Sequence, residues 1–164
     1  MKSVMITELE TTLDIDIIKS ELQEVMKYDG FIDQINLQTV KGKDPYYGSR
    51  GGREFIEDET EFIHFYFETP YINSILQTHN LCRSRVMKLK SKTCLSYHKD
   101  PTRRFHIPVI TNENCFFVIN NTVHHLPVGK CYIIDSTLQH TAVNASFEDR
   151  IHIIGTLCTD HLER

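Results

Sequence analysis

Three stretches of this chain carry residue types that do chemistry: Tyr97-His98-Lys99-Asp100, Asp135-Ser136-Thr137-Leu138-Gln139-His140, and Arg150, ten positions beyond that last histidine. Successive side chains alternate in an extended segment, so the His98-x-Asp100 spacing puts an imidazole and a carboxylate on one face. A third imidazole from a neighbouring strand would complete two histidines and a carboxylate on one side of a metal ion. Such a facial set leaves coordination positions open, as in non-haem iron(II) oxygenases. The chain has nine histidines, so His-x-Asp alone is weak evidence. The ordinary reading of any one of them is a surface or hydrogen-bonded residue.

The surrounding periodicity says what must hold these groups. From Arg85 onward the chain reads as short strands separated by turns: 85–90, 93–98, 105–111, 115–120, 123–126, 130–134, 140–144 and 150–157. Near-regular short strands imply an antiparallel sandwich or barrel. Asn120-Asn121 suits a tight hairpin turn, because asparagine tolerates positive φ, and Pro127-Val128-Gly129 turns the chain again. Upstream, Ile18, Leu22, Val25 and Met26 form an amphipathic stripe behind an acidic cap at 14–16, which predicts a helix ending near Asp29-Gly30. A second helix is expected from Thr69-Pro70, with threonine as cap and proline at the first position, carrying Ile72, Ile75 and Leu76 inward. Residues 35–40 and 62–67 read as strands. The expected fold class is mainly β with bracing helices: a jelly-roll, cupin-like barrel.

Lys41 to Arg53 is different. Glycine and proline punctuate it, and it carries Tyr46, Tyr47, Arg50 and Arg53. It reads as a long loop, either a functional lid or an unconstrained connection.

Composition bounds the rest. With 164 residues, 40% of them hydrophobic, the chain fits one domain over 1–164, its helices, strands and candidate lid in 1–84 and its barrel core in 85–158. No apolar run is long enough to span a bilayer, and no secretory leader is evident at the N-terminus. A net charge of −4 offers no global field for a phosphate backbone, so neither nucleic acid nor membrane is the expected partner. The five cysteines form no C-x-x-C pair. They are expected to be reduced thiols in a cytoplasmic protein.

The run from His98 to Asn112, HKDPTRRFHIPVITN, followed by Gly129-Lys130-Cys131-Tyr132-Ile133-Ile134-Asp135, His140, Asn144 and Arg150-Ile151-His152, resembles the aspartyl/asparaginyl β-hydroxylase and proline hydroxylase family. That resemblance covers roughly Arg85 to Leu157. It implies an iron(II)- and 2-oxoglutarate-dependent dioxygenase on a double-stranded β-helix, using O2 and supported by ascorbate. Position by position, it implies that His98, Asp100 and His140 bind iron, that Arg150 holds the distal carboxylate of 2-oxoglutarate, and that Arg104 and His106 are further cosubstrate contacts. Two departures stand out. Ser91-Lys92 replaces a Pro-Gly common before the first metal histidine, and Met87 falls where the animal β-hydroxylases use a serine on the cosubstrate. Those enzymes also have glycine where this chain has Asp100, which brings it nearer the branch that hydroxylates free proline.

The implied activity is hydroxylation of an unactivated C–H of a free amino acid, or of an amino-acid side chain in a peptide, with release of succinate and CO2. Arginine suits the far carboxylate of the cosubstrate because its charge is permanent and its fork is bidentate. Asp100 fills the position a halide would need, which favours hydroxylation over halogenation. Two other readings stand beside this one: a non-catalytic cupin-like metal-binding or assembly module, and a nucleobase demethylase, disfavoured by the negative charge. His124-His125 alternates faces and reads as structural. His152 shares Arg150's face, as a pocket residue or as a hydrogen-bonded barrel histidine. Asp135 and Ser136 either orient the ring of His140 or make the turn before it.

Overall fold

The computed structural model describes residues 4–28, 30–49 and 55–161. In chain order its strands are β1 (Ile6–Glu8), β2 (Gln34–Asn36), β3 (Gln38–Thr39), β4 (His64–Phe65), β5 (Leu81–Leu89), β6 (Thr93–Cys94), β7 (Arg104–Ile110), β8 (Cys115–Ile119), β9 (Thr122–His124), β10 (Tyr132–Ile134), β11 (His140–Asn144) and β12 (Arg150–Leu157). The helices are α1 (Ile15–Met26) and α2 (Pro70–Thr78). A large sheet runs β1-β10-β7-β12-β5-β2 and a smaller one β6-β11-β8-β9, with β3-β4 as a separate ribbon. All these strands pair antiparallel. The result is the expected jelly-roll.

Alternation on the large sheet builds two separate interiors. Val86 of β5, Phe105, Ile107 and Val109 of β7, and Ile151 and Ile153 of β12 face outward and join Ile18, Leu22 and Val25 of α1 and Ile72 and Leu76 of α2 in one core. Burying each such side chain contributes roughly 1.5–3 kcal/mol. The opposite face turns toward the small sheet, where Leu89, Phe117, Ile119, Tyr132, Ile134 and Ala142 form a second cluster. The residues that alternate with the helix-facing set, Arg104 and His106 on β7 and Arg150 and His152 on β12, therefore point into the barrel.

Both predicted helices form, but the second is capped differently than expected. Asp14 caps α1 through its side chain on Ile17 N. Thr69 makes no such bond at the start of α2. Its hydroxyl bonds Asn73 Oδ1, and Glu21 of α1 reaches across to accept from Tyr71 N at 2.8 Å and Ile72 N at 2.9 Å. One carboxylate thus takes the two first-turn amides that follow Pro70, which has no N–H of its own, and it ties the helices together.

The expected strand at 62–67 shrinks to two residues. The preceding segment is instead a 3-10 turn, Glu59–Glu61, fixed by a capping box between Asp58 and Glu61. The expected strand at 35–40 divides between the large sheet and the ribbon. Asn120 and Asn121 do adopt positive φ, 46° and 63°, at the β8-β9 hairpin.

Candidate metal centre and carboxylate pocket

His98 and His140 lie opposite one another as a backbone-bonded pair between the strand ends. Their ring centroids are 4.4 Å apart. Asp100 follows on the same side, with its own amide donating to Ser136 O at 2.8 Å. One ligand atom from each of His98, Asp100 and His140 lies within 4.8 Å of the others. Nε2 of His98 is 3.8 Å from Asp100 Oδ1, and Nε2 of His140 is 3.6 Å from Oδ2.

The chemistry of the donors fits a cation. His98 Nδ1 lies 2.7 Å from Ser96 O and His140 Nδ1 lies 2.9 Å from Leu138 O. A carbonyl only accepts, so each Nδ1 carries the proton and each Nε2 presents a lone pair to the centre. This is the outer hydrogen bond that metal-binding histidines ordinarily make. Burial also lowers the pKa of His140, which keeps the ring in the neutral, ligating form. These three residues could hold iron(II) as the family pattern implies.

Beside them opens a cavity of about 280 Å³, lined among others by Gln34, Arg85, Met87, Phe117, Arg150 and Ile154. Arg150 is buried, and its Nε has no hydrogen-bond partner. Among the described residues no carboxylate forms an ion pair with it. Burial brings its pKa down to about 10, so it remains a cation at neutral pH. Met87 stands in the wall, presenting a thioether to the cavity.

Arg104 also reaches this wall, while Arg103 points outward to a two-pronged bond with Asp160. Its guanidinium is already engaged, however. Glu59 takes it at 3.0 and 3.3 Å, Thr102 and Thr156 accept from Nη1, and Nε donates to Asp100 Oδ2 at 3.2 Å. Arg104 therefore lines the cavity with protein acceptors on Nε, Nη1 and Nη2. His106 lines the pocket and packs edge-on to Phe117. Its Nδ1 is 3.4 Å from Nδ1 of His152, so one buried ring donates to the other, and His152 is the hydrogen-bonded barrel residue.

Among the described residues of the candidate lid, 41–49, none lines this cavity. Tyr46 packs against Tyr28, and Tyr47 stacks on Phe62 while donating to Glu57 Oε2 at 2.7 Å. Arg50 and Arg53 lie outside the described residues. Of the turn residues, Ser136 bonds Thr102 O and supports the Asp100 backbone, and Asp135 accepts from Thr137. His124 and His125 line neither the metal centre nor the cavity.

Sequence reasoning missed Arg85 and Gln34. Gln34 Oε1 accepts from Arg85 Nη1 at 3.1 Å, and Nε of Arg85 is buried without a partner. Burial, then the like charges of Arg83 and Arg104, bring its pKa to about 9. The available signal was alternation along β5, which puts Arg85, Met87 and Leu89 on one face, opposite Ile154, His152 and Arg150.

A model of the aspartyl/asparaginyl β-hydroxylase family matches residues 13–158. The L-proline cis-4-hydroxylase of Rhizobium meliloti (strain 1021) is 25% identical over 95 residues, which is 52% of this chain and 34% of that protein; the match thus spans about a third of the relative's length. Among solved structures, an oxidoreductase of the 2OG-Fe(II) oxygenase family from Burkholderia pseudomallei overlays 94% of this chain and 84% of its own with a TM-score of 0.62. At 10% identity, that likeness is one of fold. A cupin domain from Bordetella pertussis Tohama I, 12% identical, covers 46% of this chain and 79% of its own at a TM-score of 0.40.

Proposed function

The chain belongs to the aspartyl/asparaginyl β-hydroxylase family, and from that premise we propose that it is an iron(II)- and 2-oxoglutarate-dependent dioxygenase that hydroxylates a C–H of a small amino acid. The observation that carries the reading is a buried arginine, Arg150, with no carboxylate partner among the described residues, in the same cavity wall as the convergent His98, Asp100 and His140. A buried unpaired charge costs several kcal/mol unless something neutralises it. The distal carboxylate of 2-oxoglutarate does so with a bidentate, charge-assisted contact.

His98, Asp100 and His140 would hold the metal. The chemistry iron(II) supplies there is dioxygen activation coupled to oxidative decarboxylation of 2-oxoglutarate to succinate and CO2. Ser96 and Leu138 carbonyls hold the two imidazoles in the ligating tautomer, and Ser136 holds the Asp100 backbone. Arg150 orients the cosubstrate by its far end.

Arg85 defines the second half of the reading. It is another cation in the same wall, hydrogen-bonded to the neutral Gln34 and without an ion-pair partner among the described residues, and it suits the α-carboxylate of a free amino acid. Met87, Leu95, Phe117 and Ile154 offer apolar contact to an aliphatic carbon skeleton. The substrate of the Rhizobium relative, L-proline, has this combination of carboxylate and saturated ring.

The test supplies iron(II), ascorbate and 2-oxoglutarate with a panel of free amino acids, peptides and oligonucleotides, and follows succinate and hydroxylated product by NMR. Turnover is expected with a free amino acid and is expected to vanish in His98→Ala and Arg150→Ala. A folded, metal-loaded protein that forms no succinate above background with any of them would overturn the reading in favour of a non-catalytic metal-binding module.

A further inference from the structure

Glu59 lies in a short 3-10 turn just before β4, far in sequence from the metal centre, yet it is buried and touches two arginines and a histidine. Arg83 Nη1 reaches its Oε1 at 2.5 Å, Arg104 takes both its oxygens, and His161 Nε2 lies 3.2 Å from Oε2. Each partner is delivered by a distinct local device. Arg83 sits at φ 49° opposite a register shift between β5 and β12, a bulge that turns its side chain out of the strand's alternation. His161 comes from a second 3-10 turn, Cys158–His161, tied down by the Arg103–Asp160 pair. Arg104 opens β7 with its aliphatic stem in the barrel.

We propose that Glu59 is a positioning residue for the metal-binding carboxylate: it grips the Arg104 fork from one side so that Arg104 Nε holds Asp100 facing His98 and His140. This rests on the metal-site reading above. The geometry works in two ways. A guanidinium is planar, so fixing Nη1 and Nη2 on Glu59 fixes the direction in which Nε–H points. Glu59 also shares the charge of Arg104. Without that second anion, Arg104 would form an undivided ion pair with Asp100 and would compete with a divalent cation for the same oxygens. The side chain of Asp100 is 25% exposed, so packing alone does not hold it.

The experiment titrates the metal-free full-length protein with Co(II), reading affinity by calorimetry and coordination by the visible absorption bands. Wild-type protein is expected to bind one Co(II), and His98→Ala is expected not to. If either expectation fails, the metal-site reading falls and the inference with it. Glu59→Gln is expected to weaken Co(II) binding about tenfold, the scale usual for an outer partner of a metal ligand, and to shift the absorption bands. Arg83→Gln removes a different partner of Glu59, and its affinity and spectrum should match wild type. Affinity for 2-oxoglutarate should change by less than about twofold in Glu59→Gln. Wild-type Co(II) affinity and spectrum in a folded Glu59→Gln variant would overturn the inference alone, as would equal losses in Glu59→Gln and Arg83→Gln. Should Glu59→Gln fail to fold, Arg104→Lys keeps the charge and loses the fork. It should show the same weakening, and unchanged affinity there also overturns the inference.

Discussion

His98 and His140 exchange both backbone hydrogen bonds, His98 N donating to His140 O at 3.0 Å and His140 N donating to His98 O at 2.8 Å. The two imidazoles are therefore set opposite one another by the backbone ladder, before any ion is present. Metal removal should leave the fold standing. Chelation is expected to keep the far-ultraviolet circular dichroism unchanged while lowering Tm only by the lost binding energy, about 2.7 kcal/mol when the free metal had been at a hundred times its Kd. Collapse of the dichroism on chelation would show that the ladder needs the ion.

The two pocket arginines without an ion-pair partner among the described residues, Arg85 and Arg150, should separate kinetically. Losing the partner of a buried charge typically costs about 2–5 kcal/mol, so Arg150→Ala is expected to raise the KM for 2-oxoglutarate by roughly a hundredfold. Arg85→Ala should leave that KM nearly unchanged and raise the KM for the amino acid instead. Steady-state kinetics with each substrate varied in turn decides the assignment, and an exchange of the two effects would invert it.

Much of this centre was legible because its rules are local. A one-residue spacer in an extended segment puts His98 and Asp100 on one side, and the same alternation puts Arg104 inward and Arg103 outward. What was not legible is how the partners of those residues arrive. Glu59 and Arg104 are 45 positions apart, and the segment carrying Glu59 shows no periodicity that betrays its burial. Arg83 breaks alternation at a bulge. Arg85 obeys it, but its strand could be read as pocket wall only once β5 was known to pair with β12. The loop at 41–53 likewise has the composition of a lid, yet within its described part Tyr46 and Tyr47 find aromatic and carboxylate partners on the scaffold, which composition does not reveal.

The cap on α2 gives a test of packing rather than chemistry. Glu21 serves two amides of another helix, whereas Asp14 serves one amide of its own. Glu21→Ala is expected to cost about 1–2 kcal/mol, and Asp14→Ala about 1 kcal/mol. For a chain of this size, 1 kcal/mol corresponds to roughly 2–4 °C in Tm. Urea or thermal denaturation of the two variants measures the order, and a smaller loss in Glu21→Ala than in Asp14→Ala would show the inter-helix cap to be dispensable.

The buried titratable groups set how stability responds to acid. Burial holds the pKa values of His106 and His152 well below that of free histidine, with the Arg150 charge adding to it. The folded state therefore resists protonating them. Their neutral burial is compatible with full stability above the unfolded value of about 6.5, and stability should decline as pH falls below it. Glu59 acts at lower pH. Burial pushes its pKa up, but the charges of Arg104 and Arg83 outweigh this and bring it to about 2. Its contribution is present above the unfolded carboxylate range near 4.5 and is lost as pH falls toward 2. The shift corresponds to something on the order of 3 kcal/mol. Thermal melts of the metal-free protein from pH 8 to pH 3 should thus show a first decline below about pH 6.5 and a steeper one below about pH 4.5. The second should flatten in Glu59→Gln and the first in His106→Asn/His152→Asn. A Glu59→Gln variant whose stability below pH 4.5 falls as steeply as that of wild type would show that the buried Arg83–Glu59–Arg104 cluster does not govern acid unfolding.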